Sequence, residues 1–202
     1  LCLGGIAAQT FSALNVIVAE QSRDSAQEWP ETEALRRIIE ARGGFVRWFR
    51  RKQVHGIAEQ RDFLLREASS GRVLFVDDDV IMGPAVVQNL LETIVFQQCA
   101  FVGAFPSGHS YRDDLRPRQQ RIEWWEGKVL PEAVSPDAPE WARADLHRAA
   151  NLWHASGTLC GVRPYKVAWV ACCVMYDRGK LEQVGGFSFW NRLPRYHSGE
   201  EV

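Results

Sequence analysis

Strong charge of either sign is missing from this chain. Its 24 Lys and Arg stand against 25 Asp and Glu, a formal net charge of −1, so no global field draws it to nucleic acid. The one basic cluster, Arg47, Arg50, Arg51 and Lys52, is no denser than an ordinary solvated face. Long apolar runs are missing too. A helix needs about 20 apolar residues to cross a bilayer; none of the runs here is that long, and the N-terminus has neither the charged region nor the cleavage site of a secretory signal. A cytoplasmic location is expected, with peripheral attachment at the inner face of a membrane left open. Cysteine is sparse and unpatterned: there are five, Cys172 and Cys173 are neighbours, and no CxxC occurs. Free thiols in a reducing compartment are expected, rather than disulfides or zinc ligands. Internal repeats and low-complexity tracts are absent. Position 1 is Leu, and the chain stops just after Glu200 and Glu201, which reads as a domain truncated at both ends.

What is present is core material. Apolar residues make up 46 % of the 202 positions and eight are Trp, enough for a single domain with a sizeable interior and too apolar for disorder. Apolar runs and helical periodicities alternate along the first half. Residues 14–18 read as a strand, 32–42 as a helix with Thr32 as cap and Gly43 and Gly44 as stop, 45–49 as a strand, 56–70 as a helix, and 73–76 as a strand. Pro84 introduces a helix over 85–97, and 100–104 read as a strand. This order predicts βαβ units and a mostly parallel sheet flanked by helices, a Rossmann-like α/β fold. Residues 105–165 break the pattern with six prolines and with Trp124, Trp125, Trp141 and Trp153. They read as a loop-rich insert holding a hairpin and one helix over 140–152, of the kind that carries function. Regularity resumes with a long apolar strand over 166–176 and a short helix over 177–184.

The strand at 73–76 runs straight into Asp77, Asp78 and Asp79. A short β-branched run is what a strand covered on both faces looks like, and in open α/β sheets ligands sit at the carboxyl ends of the strands. Strand alternation would point Asp77 and Asp79 the same way, a geometry for a divalent cation shared with a phosphate. The competing reading is a solvated acidic turn capping the helix that begins near Pro84. The histidines at 109, 154 and 197 show no ligand spacing.

The ordered set of the segment from Gln9 to Ser22, Gly56 with Arg61 and Asp62, Asp77 to Asp79, Gly185-Gly186-Phe187 and Gly199-Glu200-Glu201 resembles family 2 glycosyltransferases of the GT-A fold over nearly the whole chain. The resemblance implies one glycosyltransferase-like domain over residues 1–202, with residues 105–165 as an insert, and metal-dependent, inverting transfer of a sugar from a nucleoside diphosphate to a hydroxyl. Asp77 and Asp79 then match the family's DxD and hold Mg²⁺ or Mn²⁺, with Asp79 the direct ligand. Glu20, Arg61, Asp77 and Asp78 fall on the donor side, with a UDP-sugar favoured and the acceptor a glycan, lipid or other hydroxyl. Ala19, Glu20 and Gln21 stand where the family shows two acids and a glycine, and Asp62 where it usually shows Asn. Glu200 and Glu201 match the acidic pair that supplies the catalytic base, Glu201 being preferred. Gly185, Gly186, Phe187 and Trp190 match the acceptor side. Two other readings compete: a non-catalytic glycan- or partner-binding module of the same fold, and a haloacid-dehalogenase-type phosphohydrolase with Asp77 as nucleophile. The second lacks the later Gly-Asp strand that it needs.

Overall fold

The computed structural model describes residues 1–104, 122–130, 132–143, 163–167, 170 and 172–193. The elements in order are α1 (Cys2–Ala7), β1 (Asn15–Glu20), α2 (Pro30–Ala41), β2 (Phe45–Arg50), α3 (Ile57–Glu67), β3 (Arg72–Val76), α4 (Val86–Gln97), β4 (Phe101–Gly103), β5 (Cys173–Asp177) and α5 (Arg178–Gln183). Short 3₁₀ turns occupy Ala26–Glu28, Pro139–Ala142 and Ser188–Arg192.

The first four expected elements are present, with shifted ends. Strand β1 runs on to Glu20 because its ladder with β2 continues to the Glu20↔Arg50 pair. Helix α2 starts at Pro30 rather than at a Thr32 cap, since a first-turn proline has no N–H to satisfy and its φ already suits a helix. Its exposed face carries Arg36 and Arg37 ion-paired to Glu33, with Arg36 also on Glu40. α1 has no counterpart in the sequence reading; six residues are too few for periodicity to register.

Strand pairing is not mostly parallel among the described residues. β1 and β2 are parallel, but β5 lies between β3 and β4 and runs antiparallel to both. The chain reaches β5 only after the long excursion that follows β4, and it re-enters the sheet from the opposite end. Of the strand expected over 166–176, the described part is β5 from Cys173, and residues 168, 169 and 171 lie outside the described residues. Residues 163–167 lie outside the sheet and pair with residues 123–125, through a Trp124↔Tyr165 bridge flanked by Trp125 N–H to Pro164 O (3.0 Å) and Lys166 N–H to Glu123 O (2.8 Å). Arg163 sits over the Trp124 ring and Lys166 over Trp125. Of the helix expected over 140–152, the described part is the 3₁₀ turn Pro139–Ala142; the remainder beyond residue 143 lies outside the described residues.

Alternation along β3 divides the core in two. Leu74 and Val76 pack with Met82, Val87, Leu90, Ile94, Cys173 and Met175 under α4. Val73 and Phe75 face Leu65, Leu181 and Phe187 on the side of α3 and α5. Each such buried side chain contributes about 1.5–3 kcal/mol, so β3 is held from both faces and its end is a fixed point.

Candidate active site at the acidic end of the third strand

β3 stops at Val76, and the Val80 N–H donates to the Asp77 carbonyl (3.2 Å), so residues 77–80 form a turn. The alternation argument for Asp77 and Asp79 therefore ends one residue too early: beyond Val76 a turn, not a pleat, decides where the carboxylates go. Asp77 is tied down by its N–H, which donates to Cys172 O (2.9 Å). Its side chain stays 43 % exposed, and Asp78 and Asp79 are exposed. Carboxylates collected at the end of a rigid strand and open to solvent suit a ligand that brings its own charge.

Arg61 provides a partner. It lies on α3, whose N-cap is Gly56, and its guanidinium approaches Asp77 Oδ1 at 3.5 Å while the side chain is only 12 % exposed. A buried-stem cation aimed at the acidic turn places opposite charges side by side at the site's edge. The neighbouring Asp62 turns the other way. It is buried, and its Oδ2 accepts from Arg66 and from the Trp190 indole N–H (3.0 Å).

That bond fixes the loop that follows α5. Gly185 and Gly186 both have left-handed φ, +92° and +58°, which glycine adopts without strain, and they fold the chain after α5 into the Ser188–Arg192 turn against α3. Phe187 goes into the core, its ring edge-to-face with Phe75 (5.2 Å) and Tyr176 (6.0 Å). Trp190 is half-buried with its N–H engaged by Asp62. In this structure Phe187 and Trp190 hold the loop on, and Gly185 stays exposed beside them.

Glu20, at the end of β1, is surrounded by donors. Its carboxylate accepts from Ser25 Oγ (2.6 Å), Ala26 N–H (2.8 Å) and the Trp48 indole N–H (3.1 Å). Partial desolvation alone would raise its pKa, but the Ser25 hydroxyl, the Ala26 N–H, the Ser22 hydroxyl and the Trp48 indole outweigh it and bring the pKa down to about 2. Glu20 thus shapes the loop over 21–29. Beside it the Gln21 side-chain amide pairs with both the N–H and the C=O of His55, joining the β1 edge to the start of α3.

The chemistry of the acidic turn fits a hard cation. Mg²⁺ and Mn²⁺ take oxygen ligands, and Mg²⁺ sites use one or two carboxylates with substrate phosphates and water completing the shell. Among the described residues no group of three His, Cys, Asp or Glu gathers to enclose an ion, so an enclosed all-protein site is not formed there. Glu200, Glu201, His109, His154 and His197 lie outside the described residues.

Gln9 was not singled out by sequence reasoning. It is fully buried and hydrogen-bonds the loop that follows the aspartates. The available signal was an absence: Ala85, the N-cap of α4, has no side chain able to accept from the helix.

A mixed α/β chain with an acid-tipped strand, an arginine beside it and a glycine turn packed on the helix that carries that arginine has the layout of an enzyme working at a sheet edge. The sequence model of the family described as Glycosyl transferase family 2 matches residues 2–167, and the chain belongs to that family. Membership implies the GT-A fold and glycosyl transfer from a nucleotide-sugar donor to an acceptor. No curated protein and no solved structure matched the chain. No helix among the described residues is long and apolar enough to cross a membrane.

Proposed function

We propose that the protein transfers a sugar, with inversion, from a nucleoside diphosphate sugar, a UDP-sugar being favoured, to a hydroxyl of a glycan, lipid or other acceptor. The observation that carries this reading is the Asp77–Asp79 turn at the fixed end of β3 with Arg61 against Asp77, in a chain whose family moves sugars. Asp79 and Asp77 would hold Mg²⁺ or Mn²⁺, which when bound supplies positive charge to the departing diphosphate. Arg61 adds a second cation on the same side, and Asp78 and Glu20 border the donor, Glu20 by ordering the loop over 21–29 rather than with a free carboxylate. Gly185 and Gly186 present backbone to the acceptor side. Glu201, with Glu200 beside it, takes the acceptor proton as the acceptor oxygen bonds to the anomeric carbon and the bond from that carbon to the diphosphate oxygen breaks. A single displacement inverts the anomeric centre and needs no protein nucleophile. Family membership favours this over phosphohydrolysis with Asp77 as nucleophile. The site of action in this reading is cytoplasmic, at or near the inner face of a membrane.

Calorimetric titration with UDP, with and without Mn²⁺, tests the donor half. Manganese-dependent binding that Asp79→Ala removes is expected. Binding that ignores both the metal and the substitution would refute the metal assignment, and binding without turnover on any UDP-sugar would leave a non-catalytic module.

A further inference from the structure

The acidic turn is exposed, yet both ends of the segment that carries it are pinned. The first pin is the Asp77 N–H on Cys172 O (2.9 Å). The second is built almost wholly from residues 5–10. Gln9 Nε2 donates to Gly83 O (2.8 Å) and to Gly5 O (2.9 Å), while its Oε1 accepts from the Val87 N–H (3.0 Å). Val87 is the second residue of α4, so this side chain satisfies a helix-end donor that Ala85 cannot. Thr10 adds its N–H (2.7 Å) and hydroxyl (3.1 Å), both donated to Pro84 O. A Cβ on Gly5 would lie 3.0 Å from Met82 N, so α1 packs directly on the backbone of this segment. Arg42, just past α2, donates to Ala7 O (2.8 Å) and to Gln9 O, bracing the other side of the same turn.

We infer that Gln9 is a positioning residue for the donor site: by holding Gly83 and the first turn of α4 it sets where Asp78 and Asp79 stand relative to Asp77. Only residues 78–81 lie between the two pins, with the Val80 N–H bonded back to Asp77 O and its side chain packed on the core, a span short enough that a shift at Gly83 is passed on to the carboxylates. The amide is 0 % exposed and all its hydrogen-bonding groups are engaged. Such a side chain has one low-energy orientation, and its loss takes this partner from Gly5 O and from the Val87 N–H and leaves Gly83 O with only the Val86 N–H. The inference rests on the reading of Asp77 and Asp79 as the metal-binding pair.

The test compares Gln9→Met, which keeps the side chain's length and removes its polarity, with Ile94→Val, which loosens the same core without touching the tether. Gln9→Met is expected to weaken manganese-dependent UDP binding about tenfold or more, the usual scale for losing an outer support of a metal ligand. It should also speed hydrogen exchange at the Val80 amide. Ile94→Val should lower the Tm and leave both unchanged. If Gln9→Met does not fold, Gln9→Glu keeps the acceptor for Val87 and removes the donor to Gly83, and the same changes are expected. Variants that lower only the Tm, with UDP affinity and Val80 exchange matching Ile94→Val, would overturn the inference. Should the native protein fail to bind UDP with manganese, the donor-site reading fails instead, and Val80 exchange alone then decides whether Gln9 holds the turn.

Discussion

Replacing Glu20 with Gln isolates what an ordered carboxylate is worth at the end of β1. Oε2 accepts from Ser25 and Trp48, and Oε1 from Ala26. Glutamine keeps one oxygen and turns an NH₂ toward donors on the other side, so at least one hydrogen bond to a charged acceptor is lost and a donor–donor contact appears. A pKa moved from 4.5 to about 2 corresponds to a ceiling of roughly 3 kcal/mol. Solvent screening at this partly exposed position brings the expected loss to about 1–2 kcal/mol, or roughly 2–8 °C in Tm for a chain of this size. The pH dependence has a definite sign. A carboxyl whose folded pKa is depressed stabilises the fold above its unfolded value, here 4.5, and that contribution fades as pH falls from there through about 2. Urea unfolding of native and Glu20→Gln protein, followed by Trp fluorescence between pH 7 and pH 2.5, should show a stability gap at neutral pH that narrows steadily below pH 4.5. A gap that is the same at both ends of the range would mean that the carboxylate's charge is not what orders the loop.

Asp79→Ala should abolish sugar transfer with almost no change in Tm, because the side chain is exposed; retained turnover would show that the metal pair is misassigned. Chelation with EDTA should stop transfer and added Mn²⁺ restore it, whereas activity that persists in EDTA would exclude a dissociable cation. Trp190→Phe removes the indole donor from buried Asp62 and should cost about 1–2 kcal/mol in urea unfolding; a loss of acceptor affinity at unchanged stability would instead place Trp190 against the sugar. Phe187→Ala should cost about 3–5 kcal/mol as a core cavity, and a stability change under 1 kcal/mol would contradict its burial.

The alternating order of strands and helices through β4 was legible because each element carries its own period and its own stops. Val73 to Val76, flanked by Gly71 and the aspartates, could scarcely read otherwise. The family was legible for a related reason: its motifs are short, local and ordered along the chain, and the match over residues 2–167 agrees. The course of the carboxylates was less so. The Asp77 N–H still extends the β3–β5 ladder by bonding the Cys172 carbonyl, a partner 95 positions away that no local pattern announces, while the Asp77 C=O already accepts from Val80 and turns the chain.

By itself, then, the amino-acid order determined which stretches become strands or helices, where acidic side chains cluster, and which family the chain joins, since all of these depend on neighbours within a few positions. Tertiary structure alone decided that β5 runs antiparallel between β3 and β4, that Glu20 and Trp190 spend their polar groups on loop anchoring, and that a buried glutamine caps α4 from another element. Those outcomes turn on which distant backbone groups come within about 3 Å of one another, and only the packed core brings them there.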